Sequence, residues 1–192
     1  LVKKWGIMKK VKKMPAVSLT SIYGFSTASL GLRSIDIARI SQKNDRFRTK
    51  DDICHDLSII LNSELSYGTK YCVAFEITWV WSEFSGKHEG CKYWSEEACK
   101  VWEQQKPSVK GLIHEHLVPR KVLIHKLFSE INPSEQTIFN ILDKFCIGVV
   151  VTKDEDSALN NAGLRSAMPS GWSGKDPWER YTNIICNIVE KN

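Results

Sequence analysis

Three ionisable side chains, His114, Glu115 and His116, follow one another within an otherwise apolar segment, 111–118. Imidazole and carboxylate groups bind metal ions and transfer protons near neutral pH, so this placement favours chemistry. The segment is typical of a β-strand that ends at Pro119, because proline has no amide hydrogen to donate. Since a strand alternates its faces, we expect the two histidines on one face and the glutamate on the other. The alternative is an edge strand whose imidazoles are hydrogen-bonded and inert.

The residues after this strand predict the elements that would position it. Helical spacing predicts two helices, at 120–131 and 133–144. The run 146–151 is short, apolar and rich in β-branched residues, which predicts a second strand. A strand, a helical connection and a second strand are therefore expected in that order.

A further helix is predicted directly after the second strand. Thr152 and Glu155 have the spacing of a capping box, which opens a helix over about 153–161. Asp156 and Asn160 are four residues apart and share one face of that helix. Two oxygen ligands could therefore converge from it.

This order of elements resembles the ββα-metal finger of the HNH endonuclease superfamily. The motif of that family is an acid or histidine, then a histidine, a hydrophobic residue, any residue and a proline, and 115–119 (Glu-His-Leu-Val-Pro) fits it. The resemblance covers about 108–165. It implies a divalent-metal-dependent endonuclease that hydrolyses phosphodiester bonds in DNA.

The resemblance also implies roles for individual residues. His116 would be the general base that activates water, and Glu115 would be a ligand of one divalent cation. Asp156 and Asn160 would be further ligands, with His114 in reserve. Because Asp156 stands where the family has a histidine, oxygen ligands dominate, and Mg²⁺ or Mn²⁺ is favoured over Zn²⁺.

Four basic residues lie close to these positions in the sequence. Arg120 and Lys121 follow the motif, and Lys153 and Arg165 flank the helix with the ligands. We expect them to contact the phosphate backbone of DNA, with Arg120 at the catalytic centre. The alternative is that they are solvated helix ends.

The predicted helices and strands together indicate a mainly helical α+β fold, and length and composition agree with it. The chain has 192 residues, is 42% hydrophobic and carries a net charge of +5, so a sizeable core is expected. We predict a basic arm at 1–15 and one globular domain at 16–192 that contains a small antiparallel ββα-metal finger. The arm holds six lysines: Lys3, Lys4, Lys9, Lys10, Lys12 and Lys13.

Other patterns bear on localisation and on the remaining elements. The lysine-rich start has no unbroken apolar stretch after it, and the scattered cysteines form no C-x-x-C pair, which favours a cytoplasmic protein without a membrane span. Helices are also predicted at 28–43, 51–65 and 96–102. The run 71–81 alternates as a strand would, but its length also permits a buried helix, and we favour the helix because the neighbouring segments are helical. A final helix is expected from Pro177 to about 188, after a loop at 168–175. Trp172 in this loop either lines the active cleft or packs on the core.

The sequence therefore predicts an HNH-like endonuclease of the restriction or phage-defence type. The alternative is a non-catalytic protein that binds nucleic acid or protein, or acts as an inhibitor, on a degenerate ββα-metal scaffold. An enzyme that cuts palindromes would be expected to form a two-fold homodimer.

Overall fold

A computed structural model describes residues 49–182, 184–185 and 187–191 of the chain. The helices among them are α1 (Lys50–Asn62), α2 (Tyr67–Ser82), α3 (Glu96–Gln105), α4 (Arg120–Ser129), α5 (Glu135–Phe145) and α6 (Lys153–Asn161). The strands are β1 (Tyr93–Ser95), β2 (Leu112–His116), β3 (Gly148–Thr152) and β4 (Ile188–Glu190). These elements confirm the predicted α+β class.

The strands form one mixed sheet in the order β2-β3-β1-β4. β2 runs antiparallel to β3, with His114 opposite Val150 and His116 opposite Gly148. β1 runs parallel to β3, and β4 closes the other edge antiparallel to β1. The antiparallel pair β2-β3 followed directly by α6 has the predicted ββα order, within a larger sheet than a two-stranded hairpin.

Side-chain hydroxyls open the helices at the positions that the sequence indicates. In α1, α2, α3, α5 and α6, a serine or threonine accepts a hydrogen bond from the backbone amide three residues later. Thr152 and Glu155 form the predicted capping box, so α6 begins directly where β3 ends. These caps satisfy amides that the first turn of a helix leaves without a partner.

Two layers cover the sheet. The largest apolar cluster joins α1, α2, α4 and α5, with Leu57, Ile77, Leu127 and Leu142 at its centre. On one face of the sheet, Val149 and Val151 of β3 pack against Leu159 of α6 and against Tyr181 and Ile185 of the C-terminal segment. The other face of the sheet, with Trp94, Leu112 and Val150, packs against Ala98 and Trp102 of α3. The sheet therefore lies between α3 on one face and α6 with the C-terminal segment on the other.

The predicted C-terminal helix is wrong beyond its first turn. Asp176 caps a short 3₁₀ helix at Pro177–Arg180, and Ile188–Glu190 then forms β4. Ile188 and Val189 are β-branched, and their backbone pairs with the edge that β1 leaves open. Pairing with a strand distant in sequence therefore prevails over the local helical pattern.

Some predictions lie outside the described residues, namely the basic arm at 1–15 and the helix at 28–43. Within the described ranges, the helices predicted at 51–65, 71–81, 120–131, 133–144 and 153–161 are confirmed with small shifts at their ends. The described helices include none that is long and apolar enough to cross a membrane.

Candidate active site

The side chains of β2 alternate between the two faces of the sheet, as predicted. Leu112, His114 and His116 are buried on one face, whereas Glu115 is half-buried on the other. The histidines face α2, where the Ser82 hydroxyl lies 2.9 Å from His116 Nε2 and 3.3 Å from His114 Nε2. The imidazoles and the carboxylate therefore meet different neighbours.

The two imidazoles are enclosed by α2 and by the loop that follows it. His114 Nδ1 lies 2.6 Å from the Lys87 carbonyl oxygen. The ring centre of Trp79 lies 5.8 Å from that of His114 and 5.6 Å from that of His116. A Cβ atom at Gly148 would collide with the His114 ring, so glycine at this position allows β3 to pack closely.

Burial sets the protonation of these histidines. The pKa of His116 is lowered from 6.5 to about 3, mainly by burial, with smaller contributions from the neighbouring His114, Arg120 and Arg180. Burial also lowers the pKa of His114. Both rings are therefore neutral at pH 7 and able to accept a proton, but His116 is a weak base until the charge around it changes.

A buried arginine holds the end of β2 from the other face. The Arg180 side chain is 1% exposed, and its Nη2 atom lies 2.6 Å from Glu115 Oε1. Its Nη1 donates to the His116 carbonyl oxygen at 2.6 Å, and its Nε donates to the Leu164 carbonyl oxygen at 2.9 Å. Burial raises the pKa of Glu115, whereas the charge of Arg180 lowers it.

Sequence reasoning missed Arg180. Its partners are 64 and 16 residues away along the chain, so no local spacing connects them. The one signal was its position between Trp178 and Tyr181, where a charged side chain interrupts an aromatic stretch. A charge in such surroundings is buried only when it is paired.

The cleft between β2, α4 and α6 brings most of the predicted site residues together. It has a volume of about 360 Å³. Its lining includes the predicted residues Glu115, His116, Arg120, Lys121, Asp156, Asn160 and Arg165. His114 lies behind it among the residues of α2, and Lys153 is an exposed residue outside its lining.

Two carboxylates in the first turn of α6 have different surroundings: Glu155 caps helices, and Asp156 faces the cleft. Glu155 Oε2 accepts hydrogen bonds from the Thr152 amide at 2.8 Å and from the Ser95 hydroxyl at 2.6 Å. Asp156 lines the cleft instead, where Asn160 Nδ2 donates to its Oδ2 at 3.1 Å. The predicted pair at i and i+4 is therefore present on one face.

Arg120 is held over aromatic rings at the start of α4. Its guanidinium carbon lies 3.6 Å from the ring centre of Phe75 and 4.8 Å from that of Trp79. Its Nη1 donates to the Phe75 carbonyl oxygen at 3.4 Å. These contacts fix a positive charge at the wall of the cleft and leave further guanidinium hydrogens to bind an anion.

The donors of the cleft fit a hard cation better than zinc. Within the described ranges, no three His, Cys, Asp or Glu side chains are grouped to hold a metal ion. The cleft does present two carboxylates, Glu115 and Asp156, and the amide of Asn160, and Mg²⁺ typically uses one or two carboxylates with water and substrate phosphate. Among the described residues, none forms a hydrogen bond with the buried Tyr181 hydroxyl, and burial, with a smaller contribution from the charge of Glu115, raises its pKa.

Comparison of the chain with protein-family models, with curated proteins and with solved structures finds no match.

Proposed function

We propose that the cleft binds a phosphodiester of DNA and hydrolyses it, as an HNH-like endonuclease that requires one divalent cation. The observation that carries this proposal is the convergence of two carboxylates and three basic side chains on one cleft of about 360 Å³. The carboxylates are Glu115 and Asp156, and the basic residues are Arg120, Lys121 and Arg165. Such a mixture suits a cation and a phosphate bound side by side.

Asp156, Glu115 and Asn160 would hold the cation, which is Mg²⁺ or Mn²⁺. When bound, it would stabilise negative charge on the phosphate oxygens. One Glu115 oxygen is already paired with Arg180, so the carboxylate is kept in one orientation and its other oxygen remains to face the cleft. Arg180 is thus a positioning residue in this proposal.

The basic side chains would bind and orient the phosphate. Arg120 is fixed by its aromatic neighbours and would approach the reacting phosphate, whereas Lys121 and Arg165 are exposed and would contact the flanking backbone. His116 would accept the proton of the attacking water. A bound phosphate brings negative charge, which raises the pKa of a neighbouring imidazole and makes His116 a stronger base.

Two features of the site favour a second candidate, a non-catalytic DNA-binding protein. His116 is buried with Nε2 hydrogen-bonded to Ser82, and Glu115 is paired with Arg180. These are the contacts of inert groups in a scaffold. In favour of the enzyme, no lysine or arginine among the described residues forms an ion pair with Asp156, which is free to bind a cation.

Cleavage of supercoiled plasmid distinguishes the two candidates. The purified protein is incubated with Mg²⁺, Mn²⁺ or EDTA beside a His116→Ala variant whose folding is checked by circular dichroism. The endonuclease should nick the plasmid only with metal, and the variant should be inactive. Plasmid that is bound but never nicked under any of these conditions would instead support the DNA-binding protein.

The cellular setting is part of the same proposal. The described cysteines Cys54, Cys72, Cys91, Cys99 and Cys146 are free thiols, which supports a cytoplasmic protein. A small endonuclease of this kind suits restriction or phage defence. A homodimer would be expected if the DNA site is palindromic.

A further inference from the structure

A second groove adjoins the cleft at the start of α4. It lies between α4 and the loop at 166–172, with a volume of about 390 Å³, which is within the usual range for small-molecule sites. Lys121 and Ser166 line both the groove and the cleft. The two spaces therefore share a wall that carries a positive charge.

The groove differs from the cleft in its chemistry. Val122, Met168 and Trp172 line it, and all three are partly buried against the large helical core. His125, one turn after Lys121 on α4, and Ser166 add polar groups. An apolar surface with a few polar groups and an adjoining cation matches the two parts of a nucleotide, a flat base and a phosphate.

Trp172 is held in place before any ligand binds. Its Nε1 donates to the Asp176 carbonyl oxygen at 2.7 Å, and its ring meets the Phe145 ring edge-on with centres 6.3 Å apart. A rigid aromatic side chain loses little conformational entropy when a ligand packs on it. It is therefore suited to stack on a base.

We propose that this groove binds an unpaired nucleobase next to the phosphate held in the cleft. The inference rests on the proposed function, because it takes the cleft as the phosphate site. Lys121 at the shared wall would contact the connecting phosphate, while Val122, Met168 and Trp172 surround the base. Since a paired base is stacked inside the duplex, the preferred substrate is single-stranded, mispaired or frayed DNA.

The test compares two single-stranded oligonucleotides of equal length, oligothymidylate and a chain of abasic tetrahydrofuran phosphates. Both carry the same charge, and only the first has bases. Their dissociation constants are measured by fluorescence anisotropy at low salt in EDTA, so that no cleavage occurs. The wild-type protein should bind the base-bearing strand about tenfold more tightly.

Two variants separate base binding from phosphate binding. Trp172→Ala should bring the ratio of the two dissociation constants close to one, whereas Lys121→Ala should weaken binding of both strands equally and keep the ratio. Because Trp172 also packs on Phe145, Met168→Ala provides a second and milder change, expected to reduce the ratio in a folded protein.

A ratio near one in the wild type, or a ratio unchanged in folded Trp172→Ala and Met168→Ala, would overturn the inference. Equal affinities together with self-association in sedimentation would assign the groove to a second copy of the chain. The plasmid assay separates this result from the proposed function. If the protein nicks plasmid but binds both strands with equal affinity, the endonuclease proposal stands and the base site is refuted. If it prefers the base-bearing strand but does not nick plasmid, the base site stands and the endonuclease proposal is refuted.

Discussion

Arg180 and Glu115 form a charge pair that the interior of the protein almost encloses. The guanidinium is 1% exposed, and it satisfies two backbone carbonyl groups in addition to the carboxylate. Removing one member of such a pair leaves the other charge buried without compensation, which is strongly destabilising. The pair therefore matters to stability as well as to the position of Glu115.

The Arg180→Ala variant should lower the free energy of unfolding by about 3–5 kcal/mol, because Glu115 and two carbonyl groups lose their partner. Urea denaturation followed by circular dichroism measures this change. Arg165→Ala removes an exposed arginine and is the matched control, with an expected change within about 0.5 kcal/mol. Similar losses in the two variants would contradict a structural role for Arg180.

His116 should make stability depend on pH. The unfolded chain binds a proton at this histidine with a pKa near 6.5, whereas the folded chain does so at about 3. The stabilisation is therefore complete above pH 6.5 and is lost as the pH falls towards 3, by roughly 4 kcal/mol in all. In His116→Gln, the free energy of unfolding measured by urea denaturation from pH 7 to pH 4 should fall less steeply. Equal slopes would show that His116 is not buried in its neutral form.

At the scale of elements, one carboxylate joins the starts of two helices. β1 ends at Ser95 and β3 ends at Thr152, and because these strands are parallel neighbours, α3 and α6 begin side by side. Glu155 accepts hydrogen bonds from both Ser95 and Thr152. This network sets where α6 begins, and so where Asp156 meets the cleft.

Glu155→Ala should reduce the free energy of unfolding by about 2 kcal/mol, because it removes half of a capping box and leaves the Ser95 hydroxyl without its acceptor. Equilibrium unfolding in urea provides the measurement. Glu97→Ala is the control, since that glutamate forms an exposed ion pair with Lys100 on α3, which is worth little. If Glu155→Ala lowers the free energy of unfolding no more than Glu97→Ala does, the hydrogen-bond network around Glu155 does not stabilise the fold.

The elements that local sequence encodes were predictable, and those that depend on distant partners were not. The Thr152 and Glu155 spacing predicted α6, and the alternation at 112–116 predicted the faces of β2. β4 was missed because its hydrogen bonds go to β1, about 95 residues earlier in the chain. In this pairing Val189 lies opposite Trp94. Arg180 was missed for the same physical reason, since its partners Glu115, His116 and Leu164 are distant in sequence and only the fold brings them to it.

Within the described chain as a whole, the cleft forms where four separate parts of the chain meet, and Phe75 of α2 lines one wall. β2 contributes Glu115 and His116, α4 contributes Arg120 and Lys121, and α6 with the residues after it contributes Asp156, Asn160 and Arg165. The resemblance predicted Glu115, His116, Asp156 and Asn160, and the basic residues were predicted from their positions beside them, but only the folded chain brings these residues to one cleft. The folded chain also turns His114 and His116 towards Ser82, which spacing alone does not reveal.

The nicking of supercoiled plasmid by an Asp156→Asn variant, beside Asp154→Asn, shows whether the cleft carboxylate takes part in DNA cleavage. Both aspartates lie in the first turn of α6, so each change removes one negative charge from the same helix end, but of the two only Asp156 lines the cleft. With Mg²⁺, we expect Asp156→Asn to nick at least about 100-fold more slowly than wild type and Asp154→Asn to nick at the wild-type rate, as the proposed endonuclease requires. Equal nicking by the two variants, or no nicking by the wild type with either Mg²⁺ or Mn²⁺, would contradict it.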